Sequence, residues 1–167
     1  VNPLRGQNNV QGACDVGALP NVYPGYQSVE DAAIRAKFEK AWGAKLPEKS
    51  GLTVVEIFHA IEEDSIRALY MMGENPALSD PNLNRTRKAL EKVEFLVSQD
   101  VFLSESGQYA DVVLPAFSFA EKDGTYTNTE RRIQRVRKAV SPPGEARDDW
   151  KIVCDIATAC GYPMHYQ

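Results

Sequence analysis

Three short apolar runs, Ile66–Met72, Phe95–Ser98 and Asp111–Leu114, alternate with helical patterns across short turns, and this alternation narrows the fold more than any other feature. Strands that alternate with helices favour a parallel sheet, because parallel neighbours need a crossover and a helix supplies it. The expected fold class is therefore α/β, an open, mostly parallel Rossmann-like sheet with helices on both faces. The helices expected around the runs are Ser28–Trp42, Thr53–Glu63, Asp80–Leu90, Ser104–Tyr109 and Glu145–Cys160. Asp31, the Thr53-x-x-Glu56 box and Pro81 are start signals, and Gly43 and Gly161 are stop signals. Thr125–Lys138 interleaves β-branched and aromatic residues with arginines and reads as a hairpin. Residues 1–27 are rich in Gly, Asn, Gln and Pro and read as irregular. The expected division is thus 1–27, an irregular segment, and 28–167, the α/β domain.

Composition excludes some functions. The net charge of −4 offers no broad basic surface for nucleic acid. No apolar run approaches the roughly 20 residues of a membrane helix. The opening from Val1 to Gly12 lacks the charged and apolar regions of a signal peptide and reads as the interior of a longer chain. Cys14, Cys154 and Cys160 are far apart and have no CxxC spacing, so neither a disulfide framework nor a zinc site is expected. His59 and His165 have no ligand-type neighbours in sequence, and no metal ligands are assigned. The cysteine usage fits a reducing, cytoplasmic compartment.

Ligands of an open parallel sheet bind beyond the C-terminal strand ends. Gly73-Glu74-Asn75-Pro76 follows the first run and Gln99-Asp100 follows the second. Their carboxylates and amides suit ribose hydroxyls and the N–H groups of guanine. Ser79 and Asp80 precede the expected third helix, where backbone N–H groups favour a phosphate. The same residues also make ordinary turns and caps. Neither GxGxxG nor GxxxxGK[ST] occurs, which disfavours NAD-type and P-loop sites. Arg5 offers a planar fork that matches a carboxylate, although an arginine in a loop is more often a solvated charge. The cations Arg131, Arg132, Arg135, Arg137 and Lys138 read as a solvated or ion-paired face.

The string Val1-Asn2-Pro3-Leu4-Arg5-Gly6-Gln7-Asn8-Asn9-Val10-Gln11-Gly12-Ala13-Cys14-Asp15 resembles the formate dehydrogenase branch of the molybdopterin oxidoreductases. The likeness continues through Met72–Pro76, Gln99–Leu103, Ala110–Pro115, Ala120–Arg132 and Ala157–Tyr162, and so covers essentially the whole chain. It implies an internal piece of a catalytic subunit that oxidises formate to CO2. It implies a molybdenum or tungsten centre held by two molybdopterin guanine dinucleotides, with this segment cradling one of them. By the same resemblance, Gly73, Glu74, Asn75 and Ser79 would meet one guanosine-pyrophosphate, with Gln99, Asp100 and Ser104 along the same site. Arg5 would face the substrate, with Gln7 beside it. The family's metal ligand and its 4Fe-4S cysteines lie upstream, so the segment alone is expected to be inactive and metal-free. The implied partners are the rest of the catalytic subunit, iron–sulfur or electron-acceptor subunits, and formate. A nitrate reductase or another sister molybdoenzyme is an alternative of the same fold. A stand-alone nucleotide-binding module without catalysis is an alternative of another class.

Overall fold

The computed structural model describes residues 7–164 and 166. In chain order its helices are α1 (Val10–Asp15), α2 (Ala32–Trp42), α3 (Val54–Glu62), α4 (Pro76–Ser79), α5 (Leu83–Lys92) and α6 (Asp149–Ala159). Its strands are β1 (Val22–Tyr23), β2 (Gln27–Ser28), β3 (Ala68–Met72), β4 (Phe95–Asp100), β5 (Val112–Pro115), β6 (Gly124–Thr127) and β7 (Ile133–Val136). They form two compact units. One joins the residues up to Val55 with Gly124–Val136, and the other joins Glu56–Asp123 with the residues from Arg137 onward. The units do not follow the expected boundary between residues 27 and 28. The opening stretch is not irregular throughout either, since it contains α1 and the β1–β2 pair.

The larger unit is built on the sheet β3-β4-β5, parallel throughout. The register runs from Ala68 opposite Phe95 to Met72 opposite Gln99, and from Val97 opposite Val112 to Asp100 opposite Pro115. Paired residues share a face. Met71 and Leu96 face α3, α4 and α5 and form the core with Phe58, Ile61, Ala77, Ala89 and Leu90. Gln99 lies on the other face, where its amide meets Asp149 at the start of α6. Helices therefore cover both faces, as the alternation predicts.

The element bounds depart from the sequence reading for local reasons. β4 continues past Ser98 through Gln99 and Asp100, because both still pair with β3 or β5. Pro115 ends β5 rather than lying beyond it. It has no N–H to donate, but its carbonyl accepts from Arg147 N at 3.0 Å. The expected helix Asp80–Leu90 starts late, at Leu83, and a separate turn, α4, precedes it. Asp80 precedes Pro81, which holds it extended at ψ 142. Asn82 caps α5, its side chain accepting from Arg85 N. Ser28 pairs in β2, and α2 is capped by Asp31, which accepts from Ala33 N and Ile34 N. Ser104–Tyr109 is helical only as a 3-10 turn at Gly107–Tyr109.

The smaller unit has little apolar interior. Tyr23 stacks on Phe38 at 4.6 Å between ring centres, and Trp42 meets both rings edge-on or tilted. The antiparallel hairpin β6–β7 runs from Gly124 opposite Val136 to Thr127 opposite Ile133, as the pattern of Thr125–Lys138 predicts. Asn128 closes its turn, its side-chain oxygen accepting from Glu130 N and Arg132 N. Arg131 stands 5.3 Å over the Tyr26 ring and 4.0 Å from Asp15, so this cation of the basic run is partnered.

Candidate functional site

The C-terminal edge of the parallel sheet gathers most of the expected site residues. β3 ends at Met72, and the chain turns at Gly73 with φ 64, a conformation L side chains rarely adopt. Gly73 N donates to Gln99 O at 2.9 Å, which ties the turn to the end of β4. A Cβ at Gly73 would meet nothing within 4 Å, so the turn faces open space. Asn75 then reaches the loop that follows β4. Its side-chain oxygen accepts from Ser106 N at 3.0 Å and Ser106 Oγ at 2.7 Å, and its amide donates to Glu105 at 2.7 Å. Ser106 is fully buried, and its hydroxyl also accepts from Ala77 N at 2.9 Å. Buried polar groups need such partners, so this cluster fixes the turn after β3 against the loop after β4.

Around that cluster lie the remaining candidates. Glu74 and Ser79 are exposed, and Asp100 and Ser104 are half-buried. The Ser79 hydroxyl donates to Asn75 O at 3.1 Å. One Asp100 oxygen accepts from Val101 N at 2.7 Å. The Ser104 oxygen accepts from Gly107 N, which leaves its proton for another acceptor. The Asn75 amide beside Glu105 holds that carboxyl below its ordinary range.

Gln99 behaves differently from its sequence neighbour Asp100. Its side chain is buried, its amide donates to Asp149 at 2.8 Å, and its oxygen accepts from the Tyr70 hydroxyl. Lys122 pairs with the other oxygen of Asp149. Burial raises the Tyr70 phenol above its ordinary range, and the Asp149 carboxylate adds to the shift. The edge therefore meets Gln99 through its carbonyl, while the side chain holds β4 from inside. Alternation in β4 explains this, because Gln99 and Asp100 point to opposite faces. Asn75 and Ser106 form a lock that the sequence reading did not include. Ser106 has only its position in the expected Ser104–Tyr109 helix as a signal.

In the smaller unit, Gln7 lines a cavity of about 310 Å3 with Asn8, Asn9, Asn128, Thr129 and Gln134. The lining carries no charged side chain, and Val10 and Tyr126 add apolar surface to it. Arg5 lies outside the described residues, as do Gly6 and His165. Among the described residues no three His, Cys, Asp or Glu side chains cluster as metal ligands. No helix is long and apolar enough to cross a membrane.

A profile of the molybdopterin oxidoreductase family matches residues 2–159. The chain belongs to that family. It is 58% identical over 164 residues to the F420-dependent formate dehydrogenase subunit alpha of Methanocaldococcus jannaschii. That match covers 97% of this chain and 24% of the relative. It is 50% identical over 167 residues to formate dehydrogenase H of Escherichia coli, covering 99% of this chain and 23% of the relative. The chain thus spans about a quarter of the length of these relatives. The solved structure of acetylene hydratase from Pelobacter acetylenicus superimposes with a TM-score of 0.61 at 22% identity. The superposition covers 78% of this chain and 19% of that one, and shows the shared fold.

Proposed function

We propose that this chain is the part of a molybdenum- or tungsten-dependent formate dehydrogenase that grips one molybdopterin guanine dinucleotide at the C-terminal edge of β3-β4-β5. The observation that carries the reading is the lock between Asn75 and Ser106. In a family member, it joins the turn after β3 to the loop after β4 beside an open Gly73.

The donor set fits a guanosine-pyrophosphate. The carboxylates of Glu74 and Asp100 accept hydrogen bonds from ribose hydroxyls and guanine N–H groups. The hydroxyl of Ser104 donates to a phosphate oxygen, and that of Ser79 does so by turning from Asn75 O to the ligand. Gly73 lets the ligand come close to the backbone without meeting a side chain. Asn75 and Gln99 are positioning residues, since their amides are occupied by Ser106 and Glu105 in one case and by Tyr70 and Asp149 in the other.

Formate leaves as CO2 after giving up a proton and two electrons. The metal centre of the bound cofactor, one of a pair of guanine dinucleotides, supplies the acceptor for those electrons. Arg5 holds both oxygens of formate through parallel N–H donors and so fixes the C–H bond in a reactive orientation. Gln7 adds an amide beside it. The metal ligand, a 4Fe-4S cluster and the contacts to electron-acceptor subunits belong to the rest of a cytoplasmic catalytic subunit.

The test is Arg5→Lys in the full-length subunit, with formate turnover measured per bound metal atom. Lysine keeps the charge and loses the fork. Losing one charge-assisted hydrogen bond lowers kcat/KM for formate by about ten- to a hundredfold, with metal content unchanged. A value within about twofold of wild type contradicts the substrate role, because the same lost bond must appear as a rate. Turnover of nitrate in place of formate would contradict the choice of reaction.

A further inference from the structure

Among the described residues, three that are not glycine hold a left-handed backbone inside the smaller unit. They are Asn9 at φ 57, Tyr26 at φ 59 and Arg131 at φ 60. L side chains enter this region at a cost, and the strain persists only where the surroundings fix it. Here the three are fixed by one set of contacts between α1 and the hairpin β6–β7. Arg131, in the hairpin turn, stands over the Tyr26 ring and 4.0 Å from Asp15. The Tyr26 hydroxyl accepts from Gln11, whose amide also donates to Asp15 at 2.9 Å. At the other end of α1, the Asn9 side-chain oxygen accepts from Thr127 N at 3.0 Å. The helix is thus joined to the hairpin at both of its ends.

The bond at Asn9 bears on the substrate site. Ala13 N donates to Asn9 O at 2.9 Å, so this residue also begins the helix. Gly12 leaves room for its side chain, since a Cβ there would lie 2.1 Å from the same oxygen. Upstream of Asn9 the chain leads through Asn8 to Gln7, and Arg5 is two residues further on. Gln7, Asn8 and Asn9 line the cavity of about 310 Å3 together with Asn128, Thr129 and Gln134 of the hairpin. A left-handed residue turns the chain sharply, so whatever holds it there decides the direction of what precedes it.

We infer that Asn9 is a positioning residue for the substrate site, and that through it the hairpin β6–β7 sets how Arg5 and Gln7 are presented to formate. Its backbone makes the turn, its side-chain oxygen takes the Thr127 N–H, and the two together fix the segment that carries the guanidinium. A carboxylate held by two parallel N–H donors accepts a narrow range of geometries, so a shift of about 1 Å in that segment is costly in rate. The inference rests on the reading of Arg5 as the formate residue, and the two can fail separately.

Formate kinetics per bound metal atom and hydrogen exchange at the Thr127 amide, both in the full-length subunit, test it with Asn9→Gly and Asn9→Asp. Glycine adopts the left-handed backbone without strain and removes the acceptor alone. The Thr127 amide is expected to exchange at least about tenfold faster, and kcat/KM for formate to fall about ten- to a hundredfold at unchanged metal content. Aspartate tolerates the backbone and keeps an oxygen for Thr127 N, and is expected to return both readings to within about threefold of wild type. A merely structural Asn9 lowers the melting temperature of Asn9→Gly but leaves its kcat/KM within about twofold of wild type, and that result overturns the proposal. A Thr127 amide that stays protected in Asn9→Gly overturns it as well. Gly12→Ala displaces the same oxygen from the other side, and an exposed Thr127 amide with unchanged turnover in that variant has the same force. Arg5→Lys, measured beside these, separates the two readings. If it lowers kcat/KM and Asn9→Gly does not, the positioning role alone fails. If Arg5→Lys is itself without effect, the reading of Arg5 fails and the positioning role falls with it.

Discussion

The two compact units are held by different forces. In the larger, seven buried residues from three helices and two strands form one apolar cluster against a parallel sheet. Among the described residues of the smaller, the buried apolar cluster is Tyr23, Val29 and Phe38, and polar side chains do much of the joining. Asn9, left-handed at φ 57, accepts from Thr127 N at 3.0 Å across 118 residues of sequence. Gln11 donates to Asp15 and Tyr26. Apolar burial is non-directional and tolerates small shifts, whereas a hydrogen bond to a single backbone N–H is lost when a neighbour moves by less than 1 Å. The larger unit should therefore lose most from deleted volume and the smaller from added volume.

The largest effect expected is from Leu96→Ala. Leu96 is fully buried on the central strand. Removing its side chain costs about 2–5 kcal/mol, read as a lower unfolding midpoint of the larger unit in limited proteolysis or calorimetry. Gly12→Ala comes next. A Cβ there would lie 2.1 Å from the Asn9 side-chain oxygen, so that oxygen must leave Thr127 N. The cost is about 1–3 kcal/mol, read as faster exchange of the Thr127 amide and the hairpin β6–β7. If Gly12→Ala leaves that amide protected, polar stitching is not what holds the smaller unit.

Asn75→Asp acts through charge. In the wild type the Asn75 amide holds the Glu105 carboxyl below its ordinary value of 4.5. That interaction stabilises the fold fully above pH 4.5 and is lost as the pH falls through the lowered value in the folded protein. Aspartate removes the donor and faces Glu105 with a like charge. The gap in melting temperature between wild type and variant is thus widest near neutral pH and closes in acid. A gap independent of pH contradicts the Asn75–Glu105 contact. The smallest effect is Arg67→Ala. Arg67 and Glu94 form a bidentate pair at 2.7 and 2.6 Å, but their side chains are 72% and 57% exposed. The melting temperature stays within about 2 °C of wild type, and the difference shrinks in high salt.

The same contrast decides what was legible in the sequence. The three strands, their parallel order and the hairpin follow from period and punctuation, which are local signals. Their ends do not. Pro115 inside β5 depends on Arg147, more than thirty positions away, and the break between α4 and α5 depends on which of Asp80 and Asn82 caps a helix. At the candidate site, Gly73, Glu74 and Asn75 stand out in the sequence because they follow a strand end, whereas Asp100 is the last residue of β4. The inward turn of the Gln99 side chain follows only once β4 is known to run on through Asp100, because alternation holds within the strand and not in a loop after it. The Asn75–Ser106 and Asn9–Thr127 bonds were illegible, because a side-chain amide gives no sign of which distant backbone it will meet.

The most direct measurement is the rate at which guanine nucleotide, assayed as GMP after hydrolysis, leaves the folded full-length subunit of wild type and Asp100→Ala. If Asp100 grips the guanosine end, losing a charge-assisted hydrogen bond speeds release by about ten- to a hundredfold while the melting temperature of the cofactor-free protein holds. Release within about twofold of wild type, from a subunit that carries stoichiometric guanine nucleotide, would contradict the assignment of the β3–β4 edge as its cradle.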